Sequence, residues 1–91
     1  MSEVEWRKAA SDDVQRISRN LAEEHPTAAH RVVRNLLLAG ERFAVFPRRG
    51  RPGSVAGTRE LVAVRTYVIV YRVEDDLVTT VRIWHAAQDR P

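Results

Sequence analysis

Between Val14 and Leu37 the apolar side chains return every three or four residues, and between Glu60 and Trp84 they fall into short runs rich in β-branched and aromatic residues. That change of period calls for helices first and strands after them. With 91 residues there is material for a single core. Helices followed by a run of strands predict one α+β domain spanning 1–91, in which a short first strand and an antiparallel helix hairpin pack on a C-terminal antiparallel sheet.

Each element has its own signals. Val4 and Trp6 alternate with Glu3, Glu5 and Arg7, which predicts a short first strand. Ser11, followed by Asp12 and Asp13, has the chemistry of a helix start, a hydroxyl for the free N–H groups and then two carboxylates at the positive end of the dipole. Val14, Ile17 and Leu21 continue that helix over about 11–24. Pro26 suits the first turn of a second helix, whose stripe of Ala29, Val32, Val33, Leu36 and Leu37 ends near Gly40 to Phe43. Strands are expected over Glu60–Arg65, Tyr67–Val73 and Val78–Trp84, with Asp75-Asp76 as the turn between the last two.

The final hairpin can be taken further. A loop of two or four residues centred on Asp75-Asp76 sets Val73 against Val78, Val70 against Val81 and Val68 against Ile83. Val68, Val70, Val81 and Ile83 would then form the core face. Tyr67, Ile69, Tyr71, Val73, Val78, Thr80, Arg82 and Trp84 would form the other, with too little chain left to cover it fully; it has the composition of a protein interface, the alternative being that the first strand and the loop from Arg48 to Gly57 fold over part of it.

Composition excludes several classes of chemistry. There is no cysteine, which removes disulfides, thiolate nucleophiles and Cys-based metal sites and fits a reducing cytoplasm. The charged N-terminus has no apolar core of the kind a secretory leader carries, and no apolar run reaches the roughly 20 residues of a membrane span. Net charge is +3 and Lys8 is the only lysine, so nearly every cation is a guanidinium suited to carboxylates and phosphates. Arg48, Arg49 and Arg51 cluster ahead of a Gly/Pro-rich loop, Gly50–Leu61, and Arg59 follows within it. His85 is the best candidate for acid–base work, with seating of the C-terminal tail as its structural alternative. His25 and His30 lack a third ligand nearby, so neither a metal nor another cofactor is expected. Asp12-Asp13 and Asp75-Asp76 read as cap and turn.

The order of short strand, helix hairpin and basic Gly/Pro loop, then Gly57-Thr-Arg-Glu-Leu61, Tyr67-Val-Ile-Val-Tyr-Arg-Val73 and Val81-Arg-Ile-Trp-His85, resembles the ParE branch of the RelE/ParE toxins of bacterial type II toxin–antitoxin systems. The resemblance covers essentially the whole chain. It implies a toxin that inhibits growth and is bound tightly by a small cognate antitoxin, ParD-like or of another family. Operator DNA would be reached only through that antitoxin. Tyr67, Ile69, Tyr71, Arg72, Arg82 and Trp84 become the expected antitoxin contacts, and Arg48, Arg49, Arg51 and Arg59 the candidates for target contact. Arg51 and Arg59 could alternatively clamp carboxylates of a partner or of Glu60.

That family divides by mechanism. RelE-like members are ribosome-dependent mRNA endonucleases, whereas ParE-like members poison DNA gyrase by binding it. A ribonuclease must activate a 2′-hydroxyl, stabilise charge on phosphate and protonate a leaving oxygen, so it needs cations and an acid–base pair converging on one spot. Here the candidates are His85, Arg82, Arg59 and Glu60, but Val68 and Ala86 stand where the nuclease branch tends to carry Arg and Tyr. The expectation is therefore a gyrase-binding toxin without catalytic residues, the alternatives being an endonuclease or a non-toxic binding module.

Overall fold

The computed structural model describes residues 2–63 and 67–86. Strand β1 (Glu3–Trp6) leads into helices α1 (Lys8–Ala22) and α2 (Pro26–Arg42), and strands β2 (Arg51–Pro52), β3 (Arg59–Val62), β4 (Tyr67–Glu74) and β5 (Leu77–His85) follow. Together the strands make one sheet in the order β1-β5-β4-β3-β2. The sheet is antiparallel except at β1, which pairs in parallel with β5 from Glu3 opposite Leu77 to Trp6 opposite Thr80. Mixed pairing follows from connectivity, because α1 and α2 lie between β1 and the hairpin and return the chain to the same end.

The helices differ from expectation at one end. Pro26 does open α2, where its missing N–H costs nothing. But α1 begins a turn early, at Lys8, so Ser11 lies inside it and donates its N–H to the Arg7 carbonyl, and no side chain caps the helix. Asp12 pairs with Lys8 one turn back. Asp13 is not a cap carboxylate at all: it is 2% exposed and faces β5.

The last hairpin turns at Asp75-Asp76 as expected, with two residues rather than four, Asp75 at φ 50° and Val73 opposite Val78. Beyond Tyr71 opposite Thr80 the register shifts, so Val70 meets Arg82 and Val68 meets Trp84, leaving Val81 as an extra residue in β5. A bulge of this kind re-aims everything after it. Ile83 joins Tyr67, Ile69, Tyr71, Val73, Val78, Thr80 and His85 on one side of the sheet, while Arg82 and Trp84 join Val68, Val70 and Arg72 on the other.

The helices cover the first of these sides. Val14, Ile17, Val32, Leu36 and Phe43 pack with Ile69, Tyr71, Val78 and Ile83 into the core. The side expected to be open is therefore the buried one, and Ile69 and Tyr71 are 0% exposed. Tyr71 stacks on Phe43 with ring centroids 3.9 Å apart. Trp6 fits against Gly40, where an added Cβ would lie 2.5 Å from its ring.

Candidate functional site

The second side of the sheet is covered in part by the Gly/Pro loop. Gly53 donates to the Thr58 carbonyl at 2.8 Å and Gly57 takes φ +81°, closing a hairpin between β2 and β3 that folds over the sheet. Arg72 reaches the Ala56 carbonyl at 3.5 Å, and a cleft of about 190 Å³ remains between Ser54, Val55 and the sheet residues Arg72, Arg82 and Trp84. Trp84, expected on an open aromatic face, is instead on this side and 8% exposed.

Glu60, Val70 and Arg82 form a row across three strands on this side. Both charged ends of the row are engaged within the chain. Glu60 accepts the Ser54 N–H at 3.1 Å, and Arg51 lies 3.5 Å from its carboxylate, as the alternative role of Arg51 anticipated. Arg82 donates through Nε to Asp13 at 2.8 Å, where Arg16 and the Ile83 N–H converge on the same carboxylate. Burial works to raise the Asp13 pKa, but the hydrogen bonds from Arg82, Ile83 and Arg16 outweigh it and hold the carboxyl below its ordinary value. The Asp13 hydrogen bond raises the Arg82 pKa in turn.

The four nuclease candidates are not brought to one place. Glu60 and Arg82 project from one side of the sheet, Arg59 and His85 from the helix side, since Arg59 is opposite Tyr71 and His85 opposite Tyr67. His85 meets the Tyr67 ring edge-on at 4.9 Å, and Arg59 donates to the Gly50 carbonyl at 2.7 Å. Among the described residues no group of three or more His, Cys, Asp or Glu side chains could hold a metal ion, and no helix is long and apolar enough to cross a membrane.

Of the four target-contact candidates, Arg59 is half-buried and turned to Gly50, Arg51 pairs with Glu60 while its side chain stays 59% exposed, and Arg48 and Arg49 are exposed. These two border a surface that sequence reasoning missed. Val45 and Phe46, just past the end of α2, are 56% and 63% exposed, and with Pro47 and Arg42 they complete an open groove of about 840 Å³. Arg42 and Arg49 also line a second depression of about 430 Å³ beside Leu38 and Val62. The available signal was the run Phe43-Ala-Val-Phe-Pro47, apolar beyond the last helical repeat and followed at once by two arginines.

Two helices packed on a five-stranded mixed sheet form an α+β fold that matches RelE/ParE-like structures. The family model of the ParE toxin of type II toxin–antitoxin system, parDE, matches residues 4–90, and the chain belongs to that family. It is 42% identical over 88 residues to the Caulobacter vibrioides protein named Toxin RelE2, covering 97% of this chain and 99% of the relative. It is 36% identical to a putative toxin of Sinorhizobium fredii, over 97% of this chain and 92% of the other. Among solved structures it is similar to the chromosomal ParDE system from P. aeruginosa, with TM-score 0.83, 22% identity and coverage of 93% and 96%. The toxin–antitoxin complex RelBE2 from Mycobacterium tuberculosis follows at TM-score 0.59, 25% identity and coverage of 92% and 96%.

Proposed function

We propose that this toxin arrests growth by binding DNA gyrase, without chemistry of its own, and that a cognate antitoxin holds it inactive. The observation that carries this reading is the division of the nuclease candidates between two sides of a sheet. An acid–base catalyst must stand within about 3 Å of the proton it moves, and the placement of Arg82 and His85 on opposite pleats of β5 weighs against their acting on one phosphate. Arg82 is also committed to Asp13, so withdrawing it would leave a buried carboxylate without its main partner. Val68 and Ala86, where the nuclease branch tends to carry Arg and Tyr, weigh the same way.

The antitoxin part of the proposal is supported by the ParE family match and by solved relatives that are toxin–antitoxin assemblies. Operator DNA would then be met through the antitoxin. Arg48 and Arg49 are the residues we assign to target contact, because they are exposed while Arg51 is paired with Glu60 and Arg59 is bonded to the Gly50 carbonyl.

The test uses purified toxin in two parallel reactions: supercoiling of relaxed plasmid by gyrase, and cleavage of a messenger on programmed ribosomes. Loss of supercoiling with an intact messenger is the expected pair of results. A cut messenger with unaffected gyrase would assign the chain to the endonuclease mechanism.

A further inference from the structure

The segment from Phe43 to Gly50 is fixed at both ends. Phe43 is buried against Tyr71, and the Gly50 N–H donates to the Tyr71 hydroxyl at 2.7 Å while Arg59 binds the Gly50 carbonyl. Its middle is held as well, since the Val45 and Phe46 N–H groups both donate to the Arg42 carbonyl and Ser2 donates to Ala44. The backbone is thus hydrogen-bonded along this segment, yet the Phe46 side chain is 63% exposed. An exposed aromatic on a hydrogen-bonded backbone has little backbone freedom left to lose on binding.

Charge narrows the occupant. Three guanidiniums, those of Arg42, Arg48 and Arg49, rim the Phe46 groove, and among the described residues no carboxylate lines it. Among the described residues none of the three is in an ion pair. A second copy packed symmetrically would face these cations with themselves, at a cost in like-charge repulsion. A single nucleic-acid strand would match the charge but stacks on several aromatic platforms, and here one aromatic stands among Val45, Pro47, Leu38 and Val62. Aliphatic surface with one aromatic anchor and arginines is the composition of a protein interface.

We infer that this groove is the docking site for an acidic, apolar segment of the cognate antitoxin, whose carboxylates meet Arg42 and Arg49 while an apolar side chain covers Phe46. The inference rests on the antitoxin reading above and adds a consequence: an antitoxin seated here masks Arg48 and Arg49.

The test is calorimetric titration of the folded toxin with the purified antitoxin encoded beside it, for wild type, Phe46→Ala, the double variant Arg42→Glu/Arg49→Glu, and Arg72→Glu on the far side of the sheet. All changed groups are at the surface or its margin, and thermal unfolding checks that each variant folds. Phe46→Ala is expected to raise Kd at least about 30-fold, a hot-spot loss. The charge reversal is expected to raise it about 10-fold or more and to flatten its salt dependence, with Arg72→Glu near wild type. Wild-type affinity in both groove variants overturns the inference and leaves the antitoxin reading standing, as does a loss confined to Arg72→Glu. If wild type fails to bind, both fall. A wild-type dimer that Phe46→Ala dissociates, or binding of a labelled oligothymidylate that the arginine variant abolishes, would give the groove to another occupant and likewise overturn it.

Discussion

The Tyr71 hydroxyl accepts the Gly50 N–H at 2.7 Å, from a ring that is 0% exposed and stacked on Phe43. One side chain thus anchors the core of the sheet and the start of the loop that covers its far side. Burial pushes the Tyr71 pKa up, against the opposing Gly50 hydrogen bond and the nearby charges of Arg59 and Arg49, so the group is a neutral phenol at any working pH.

Tyr71→Phe keeps the ring and removes the acceptor, leaving the buried Gly50 N–H without it. The expected cost is about 1–3 kcal/mol. Chemical denaturation measures it, and hydrogen exchange at the Gly50 amide should accelerate; unchanged stability and exchange would show that the bond is dispensable.

Asp13 is the groundwork for a pH prediction. Its folded pKa lies below the ordinary carboxylate value, so the stability it contributes is complete above the unfolded value of roughly 3.9 and is lost as pH falls through the folded one. Asp13→Asn should destabilise by about 2–3 kcal/mol at neutral pH, less than the roughly 3–5 of a fully buried pair, because Arg82 and Arg16 are 40% and 47% exposed and can rehydrate. The difference from wild type should stay level from neutrality down to about pH 5 and shrink below pH 4. Unfolding free energies across that range check this, and a constant difference would mean that the carboxylate charge is not what matters.

Thr80 is 0% exposed, and among the described residues its hydroxyl is a buried side-chain group without a hydrogen-bond partner. Thr80→Val replaces that hydroxyl with a methyl group of similar size, so a gain of about 1 kcal/mol is expected. A lower melting temperature would point to a hydrogen bond satisfied in solution.

These residues also mark what could be read from sequence. The two periods specified the helix hairpin and the strands, and Asp75-Asp76 specified the turn and its even register, two or four residues, of which the structure has two, because local patterns carry that information. The side of the sheet that became the core was misassigned. Both sides of β4 are apolar, Ile69 and Tyr71 on one and Val68 and Val70 on the other, so alternation gave no direction, and the extra residue Val81 reversed the facing of Arg82 and Trp84. Asp13 resembled a cap because nothing in its neighbours reveals that α1 starts at Lys8 or that Arg82, distant in sequence, would reach it. Parallel pairing of β1, and the pinning of Phe46 outward, likewise depend on long-range contacts.

His85 sits beside Tyr67 on the helix side, away from Glu60 and Arg82. His85→Ala should therefore leave growth arrest within about threefold of wild type at matched expression, whereas removing a general acid–base group typically costs 10²–10⁴-fold. A loss on that scale with an intact fold would restore the catalytic role.

The mechanism is tested most directly by following macromolecular synthesis in cells after the toxin is induced without its antitoxin. Labelled thymidine and labelled methionine, counted over the first minutes, report replication and translation separately. Thymidine incorporation is expected to fall first, with plasmid supercoiling disturbed and translation continuing. An immediate stop in methionine incorporation, with messengers cut on ribosomes and supercoiling normal, would contradict the gyrase-binding mechanism.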